Sequence, residues 1–65
     1  MELMQLRFFC HAAVTESFVQ TARRFDVPPS SISHSMRRLE NELGTLLFER
    51  SPNRVRLSAR GQAFY

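Results

Sequence analysis

The sequence predicts a small, mainly helical domain with a two-stranded β-hairpin near its end and the start of a fourth helix. Three observations support this fold class. Apolar residues recur at helical spacing in three segments before residue 44, a Pro-Pro pair separates the second segment from the third, and short alternating segments follow. A chain of 65 residues has room for one domain only.

The first segment, about residues 2–14, is predicted to be an amphipathic helix, because its apolar residues recur at steps of three and four. The predicted buried stripe comprises Leu3, Leu6, Phe9, Cys10, Ala13 and Val14. Cys10 is therefore expected to be a small buried apolar residue, and no motif beside it indicates a nucleophile. His11 points about 100° away from Cys10 on the helix, which argues against a metal site.

A second, short helix is predicted over residues 18–25. Ser17 and Gln20 have the spacing of a capping box at its start. Its predicted inner face comprises Phe18, Thr21, Ala22 and Phe25. Pro29 restricts Pro28 to extended geometry, so the chain turns there. Two helices that flank a tight turn form a helix-turn-helix.

The third helix, about residues 29–43, has two different faces. Its apolar stripe comprises Ile32, Met36, Leu39 and Leu43, and its polar face carries Ser30, Ser33, His34 and Arg37, with Arg38 at the edge. Within this helix no carboxylate precedes Glu40. Small hydroxyls and arginines suit close contact with a polyanion, although a solvated helix face fits the same residues. Either Pro28 or Ser30 is the cap, and only Ser30 has a capping hydroxyl.

A β-hairpin is predicted after Gly44, which is expected to end the third helix in a left-handed conformation. Residues 46–50 and 55–57 have strand-like patterns, and residues 51–54 supply turn-forming side chains. Ser58 is expected to cap a final helix. The hairpin would place Arg54 at its tip and Arg56 on its outer face.

The basic residues favour nucleic acid as a partner. All nine are Arg, whose planar fork of donors matches phosphate and guanine edges. Residues 1–49 hold five Arg and six acidic residues, whereas residues 50–65 hold four Arg and no acid. A basic footprint at one end is typical of a nucleic-acid-binding protein, and a solvated basic tail is the alternative.

Composition also bears on compartment and chemistry. One cysteine allows no internal disulfide and suits a reducing compartment, and no segment is long and apolar enough to cross a membrane, so the cytoplasm is expected. The sequence lacks a carboxylate pair, a metal-ligand spacing and a Gly-rich phosphate loop, so no enzyme, metal or cofactor is predicted. Without an exposed aromatic pair, RNA is a less suitable ligand than duplex DNA.

From Leu3 to Gly61 the chain resembles the N-terminal winged helix-turn-helix domain of the LysR-type transcriptional regulators. The residues that carry the resemblance are Leu3, Leu6, Phe8-Phe9, Ser17-Phe18, Thr21-Ala22, Ile32-Ser33, Arg37-Arg38-Leu39-Glu40, Leu43-Gly44, Leu47-Phe48, Arg50, Val55, Leu57-Ser58 and Gly61. The resemblance implies a bacterial regulator that binds an interrupted inverted repeat in promoter DNA as a homodimer or tetramer.

The resemblance also implies a domain division. Residues 1–58 would be the DNA-binding domain, and residues 59–65 would begin a linker helix that pairs two subunits. In this family a further domain, which this sequence does not contain, senses a small-molecule co-inducer. The chain is therefore expected to be a DNA-binding fragment or a stand-alone homologue, with no site for a co-inducer.

The sequence departs from the family pattern in places that affect base reading. Pro28-Pro-Ser-Ser31 stands where Ser-Gln-Pro-Ala is usual, and the Pro29 ring cannot replace a base-reading Gln. Ser35 replaces a second common Gln. Glu16 stands where glycine is frequent, and a left-handed conformation there would cost Glu16 about 1 kcal/mol. Base preferences of relatives are therefore not expected to transfer.

The predicted binding mode places the third helix in the major groove and Arg54 in the adjacent minor groove, with Arg50 and Arg56 on phosphates. Arg38 has two predicted alternatives, phosphate contact or an ion pair with Glu42. The predicted DNA contacts are Ser17, Pro29, Ser30, Ser31, Ser33, His34, Arg37, Arg38, Arg50, Arg54 and Arg56. A winged helix used for protein–protein contact without DNA binding is the alternative function.

Overall fold

The computed structural model describes residues 1–65 as three packed helices, a hairpin and a short final helix. The elements in chain order are α1 (Leu3–Thr15), α2 (Phe18–Phe25), α3 (Pro29–Leu43), β1 (Phe48–Arg50), β2 (Val55–Leu57) and α4 (Ala59–Phe64). The predicted mainly helical, winged helix-turn-helix class is confirmed. No helix has both the length and the apolar character that crossing a membrane requires.

The core lies between α1, α2 and α3 and is closed by the hairpin. Its buried apolar residues are Phe8, Phe9, Ala12, Ala22, Ile32, Met36, Leu39, Leu47, Phe48 and Val55. The predicted stripe of α3 is confirmed, because Ile32, Met36 and Leu39 are fully buried and Leu43 packs against the core. The inner face of α2 is also as predicted.

The predicted buried face of α1 is partly wrong. Cys10 is exposed, as are Leu3 and Val14, whereas Gln5 is almost fully buried. Apolar residues occur on nearly every side of α1, so its periodicity does not select one face. Gln5 tolerates burial because its side-chain Oε1 accepts a hydrogen bond from the Glu2 backbone N–H, at 3.1 Å.

Side chains cap the N-termini of two helices, α2 and α4, and a proline and a glycine mark the two ends of α3. The predicted Ser17 and Ser58 caps are confirmed, since each hydroxyl accepts from the backbone N–H three residues on, both at 3.0 Å. Pro28 rather than Ser30 is the N-cap of α3, which places Pro29 in the first turn, where its missing N–H costs nothing. Gly44 ends α3 with φ 69°, as predicted.

The first strand is shorter than predicted, because it begins at Phe48 rather than at residue 46. The backbone N–H groups of Leu47 and Phe48 donate to the Glu40 carboxylate, at 2.9 and 3.2 Å, instead of to a neighbouring strand. The two strands pair antiparallel, with Phe48 opposite Leu57 and Arg50 opposite Val55. We call residues 48–57 the wing.

Candidate nucleic-acid interface

The polar face of α3 is open to solvent. Ser30, Ser31, His34, Arg37 and Arg38 are exposed, and Ser33 is half-buried. This exposure follows from the sequence, because burial of Ile32, Met36 and Leu39 turns the opposite side of the helix outward. The interface predicted on α3 is therefore available to a ligand.

The N-terminal end of α3 lies at the Pro-Pro turn and is also exposed. Pro29, in the first turn, has no N–H to donate, and the Ser31 N–H donates to the Pro28 carbonyl, at 3.0 Å. The positive end of the helix dipole points the same way, which favours an anionic ligand there. Pro29 can thus contribute apolar contact, but its backbone cannot donate a hydrogen bond.

The wing lies against the polar face of α3. The Arg50 Nη1 donates to the Ser33 hydroxyl, at 3.4 Å, which connects β1 directly to the middle of α3. Arg37 and Arg50 also line one shallow depression, together with Ser58 from the start of α4. The polar face of α3 and strand β1 of the wing therefore form one continuous surface.

Arg50 has structural partners that its sequence context did not reveal. Its Nη2 lies 3.0 Å from Oε1 of Glu40, and its guanidinium stacks over the Phe18 ring, 5.1 Å from the centroid. Glu40 is almost fully buried, and Arg50 neutralises its charge. Phosphate contact by Arg50 remains a prediction, and it would have to use donors that these contacts leave available.

The N-terminus of α2 lies beside the turn of the wing. Ser17 and Phe18 line one side of a shallow depression, and Ser51, Pro52 and Asn53 line the other. The turn is closed by the Ser51 N–H and hydroxyl, which both donate to the Arg54 carbonyl, at 3.0 and 2.9 Å. Capping by Ser17 is confirmed, whereas its predicted phosphate contact remains a prediction.

Arg54 and Arg56 both approach the Glu16 carboxylate at the end of α1. The Arg54 Nη1 lies 3.6 Å from Oε1, and the Arg56 Nε lies 3.7 Å from Oε2. All three side chains are substantially exposed, so water screens these ion pairs. The predicted positions of Arg54 at the wing turn and of Arg56 on its outer face are confirmed, and their DNA contacts remain predictions.

Arg38 does not form the ion pair with Glu42 that was one of its two predicted roles. The Glu42 carboxylate instead lies 2.7 Å from the N-terminal amine of Met1. The phosphate contact, the other predicted role of Arg38, remains a prediction.

The imidazole of His11 has a partner within the fold. Its Nδ1 lies 2.9 Å from the Thr21 hydroxyl, and its ring packs edge-on against Phe25. These contacts join α1 to α2. No three His, Cys, Asp or Glu side chains cluster closely enough to hold a metal ion.

Comparison with known proteins decides the family. Residues 3–62 match the family described as "Bacterial regulatory helix-turn-helix protein, lysR family". This chain belongs to that family. The matched domain is a regulatory helix-turn-helix rather than a catalytic domain.

Curated relatives of the LysR family match nearly the whole chain. The chain is 39% identical over 64 residues to the transcriptional activator IlvY of Haemophilus influenzae, covering 98% of this chain and 22% of that protein. It is 38% identical over 65 residues to the transcriptional regulator BudR of Klebsiella aerogenes, covering 100% of this chain and 46% of that protein. The chain thus spans between about a fifth and a half of the length of these relatives.

Solved LysR-family structures share the fold. The DNA complex of the CbnR DNA-binding domain superposes with a TM-score of 0.94 at 38% identity, covering 98% of this chain and 74% of that one. The complex of the BenM DNA-binding domain with catB site 1 DNA superposes with a TM-score of 0.93 at 34% identity, covering 100% of this chain and 72% of that one. Both of these similar chains were crystallised on DNA.

Proposed function

We propose that this chain is the DNA-binding domain of a LysR-type transcription regulator and that it binds duplex DNA through α3 and the wing. One observation carries the proposal: the exposed face of α3 from Ser30 to Arg38 has no carboxylate and adjoins an arginine-bearing hairpin. CbnR and BenM, whose domains share this fold, are the proteins crystallised with DNA.

In the proposed complex, α3 lies in the major groove with its N-terminal half deepest. In this complex Ser30, Ser33 and His34 contact base edges or nearby phosphates, and Arg37 contacts guanine or phosphate. Arg54 extends from the wing toward the adjacent minor groove, where a narrow A·T-rich segment attracts arginine. Ser17, Pro29, Ser31, Arg38, Arg50 and Arg56 complete the proposed interface.

For the whole protein, we propose the dimeric, co-inducer-sensing arrangement that is typical of LysR-type regulators. Two copies pair through a linker helix that residues 59–65 begin, and together they read an interrupted inverted repeat about one helical turn apart. A further domain would hold a small-molecule co-inducer. The free cysteine and the predominance of arginine fit a protein that works on DNA in the cytoplasm.

A salt titration with a random-sequence duplex tests DNA binding by this chain. Binding through phosphates makes the logarithm of the association constant fall linearly with the logarithm of salt concentration. A random-sequence duplex offers no particular guanine, so Arg37 is expected to bind phosphate there, and Arg37→Ala should reduce that slope by about 0.9, the value for one lost phosphate contact. Arg50→Ala is a poor test, because it would also leave Glu40 without its ion-pair partner.

Arg24 supplies the matched control. It is exposed, its guanidinium lies over the Phe25 ring, and it lines a groove with Leu3 and Cys10 on the outer side of α1. Arg24→Ala should leave the slope unchanged. A salt-independent response of the unmodified chain, or equal effects of the two substitutions, would contradict the proposal and favour a winged helix that binds another protein.

A further inference from the structure

Glu16 occupies a position where the backbone favours glycine. It ends α1 in the left-handed conformation, with φ 57° and ψ 32°, and its N–H donates to the Ala12 carbonyl, at 2.8 Å. Its own carbonyl accepts from the N–H of Val55, at 3.1 Å, so the backbone of β2 is joined to this residue. Glu16 is thus fixed at the point where the wing meets α1.

The side chain of Glu16 lies within ion-pairing distance of both outer arginines of the wing. Each carboxylate oxygen lies near a different guanidinium, Oε1 near Arg54 and Oε2 near Arg56. Both arginines lie in the part of the sequence that contains no acidic residue, so the acidic partner comes from a distant segment. The three side chains carry a combined charge of +1, whereas the arginines alone would carry +2.

We infer that Glu16 restrains Arg54 and Arg56 and thereby weakens binding of the wing to DNA of any sequence. This inference rests on the proposed DNA-binding function. Non-specific affinity depends on the number of phosphates that basic side chains neutralise. A carboxylate held between the two arginines competes with phosphate for them at every sequence, whereas it leaves the base-reading face of α3 untouched.

The test is the affinity of the Glu16→Gln chain for DNA at low salt. The probe is a random-sequence duplex of about 20 base pairs, which offers about two helical turns. Glutamine keeps the length of the side chain and removes its charge. We expect binding to tighten about 2- to 10-fold, the range that release of two exposed ion pairs would give, and the salt slope to steepen. Unchanged or weaker binding overturns the inference.

Asp26→Asn is the matched control. Asp26 is also an exposed acid that ends a helix in the left-handed conformation, with φ 57°, and it forms no ion pair. The Asp26→Asn substitution removes the same charge as Glu16→Gln but releases no arginine, so we expect the affinity for DNA to change less than 2-fold. An equal effect of Asp26→Asn would mean that net charge alone is responsible, and the inference would be wrong.

A second background separates the role of Glu16 from the proposed function. In the Arg54→Gln/Arg56→Gln chain, Glu16→Gln should have no further effect, because its partners are gone. Tightening of the same size in that background overturns the inference while leaving DNA binding intact. No binding of the unmodified chain to any duplex overturns the proposed function, and this inference with it.

Discussion

The carboxylate of Glu40 and the guanidinium of Arg50 lie 3.0 Å apart, although ten residues separate them in the chain. The other carboxylate oxygen accepts from the backbone N–H groups of Leu47 and Phe48. One buried side chain on α3 therefore determines where β1 begins and holds the arginine that reaches Ser33. This arrangement attaches the wing to the helix that presents the proposed DNA-binding face.

Glu40→Gln should destabilise the fold by about 2–3 kcal/mol. The substitution removes the charge that pairs with Arg50 and one of the two carboxylate oxygens that accept hydrogen bonds from Arg50 and from the backbone of Leu47 and Phe48. Partial exposure of Arg50 keeps the loss below that of a fully buried pair. Urea unfolding measures the change. Glu49→Gln, at the exposed neighbouring position in β1, should change stability by less than about 0.5 kcal/mol. Equal effects of the two substitutions would show that the ion pair has no structural role.

Gly61→Ala should destabilise the chain by about 1–3 kcal/mol, although alanine favours helix more than glycine does. A Cβ on Gly61 would collide with the Leu47 carbonyl oxygen and would lie 3.0 Å from the Leu57 side chain. The close approach of α4 to the segment before β1 requires a residue without a side chain. Thermal unfolding measures the change.

Gly44→Ala provides a comparison with a different cause. Nothing lies within 4 Å of a Cβ there, but φ is 69°, so the cost of about 1 kcal/mol comes from the backbone alone. Gly44→Asn should recover part of that loss, because asparagine tolerates the left-handed conformation. Gly61→Asn should recover nothing. A stabilised Gly61→Ala chain would contradict the packing described for α4.

The N-terminal ammonium of Met1 holds the pKa of the Glu42 carboxyl below its usual value, through a hydrogen bond and its charge. Because the folded-state pKa is depressed, the ion pair stabilises the fold above the unfolded-state pKa of about 4.3 and is lost as the pH falls through the folded-state pKa. N-terminal acetylation should raise the Glu42 pKa toward its usual value in an NMR titration of side-chain carboxyls. An identical midpoint with and without the acetyl group would show that the pair does not form in solution.

Local sequence signals predicted the helices well because each signal acts within a few residues. Ser17 and Ser58 each supply a hydroxyl three residues before the N–H that they cap. Gly44 supplies the left-handed residue that ends α3. The exposed face of α3 was predictable for the same reason, since its apolar residues define a single narrow stripe.

Contacts between distant segments were not predictable from the sequence. Cys10 was assigned to the core because α1 has apolar residues on several sides, and only the packing of the other helices selects which of them are buried. Arg50 and Arg54 were assigned to DNA alone, since nothing near them in the sequence indicated Glu40 or Glu16 as partners. The position of a charged side chain can be predicted locally, but its ion-pair partner depends on the tertiary fold.

The most direct test of the central claim is an NMR titration of the chain with duplex DNA that maps which backbone amides shift. The account predicts that the shifts concentrate at Ser30, Ser33, His34 and Arg37 on α3 and at the turn of the wing, and that Leu3, Cys10 and Val14 on the outer side of α1 stay unchanged. Shifts confined to the outer side of α1, with α3 and the wing unaffected, would contradict it.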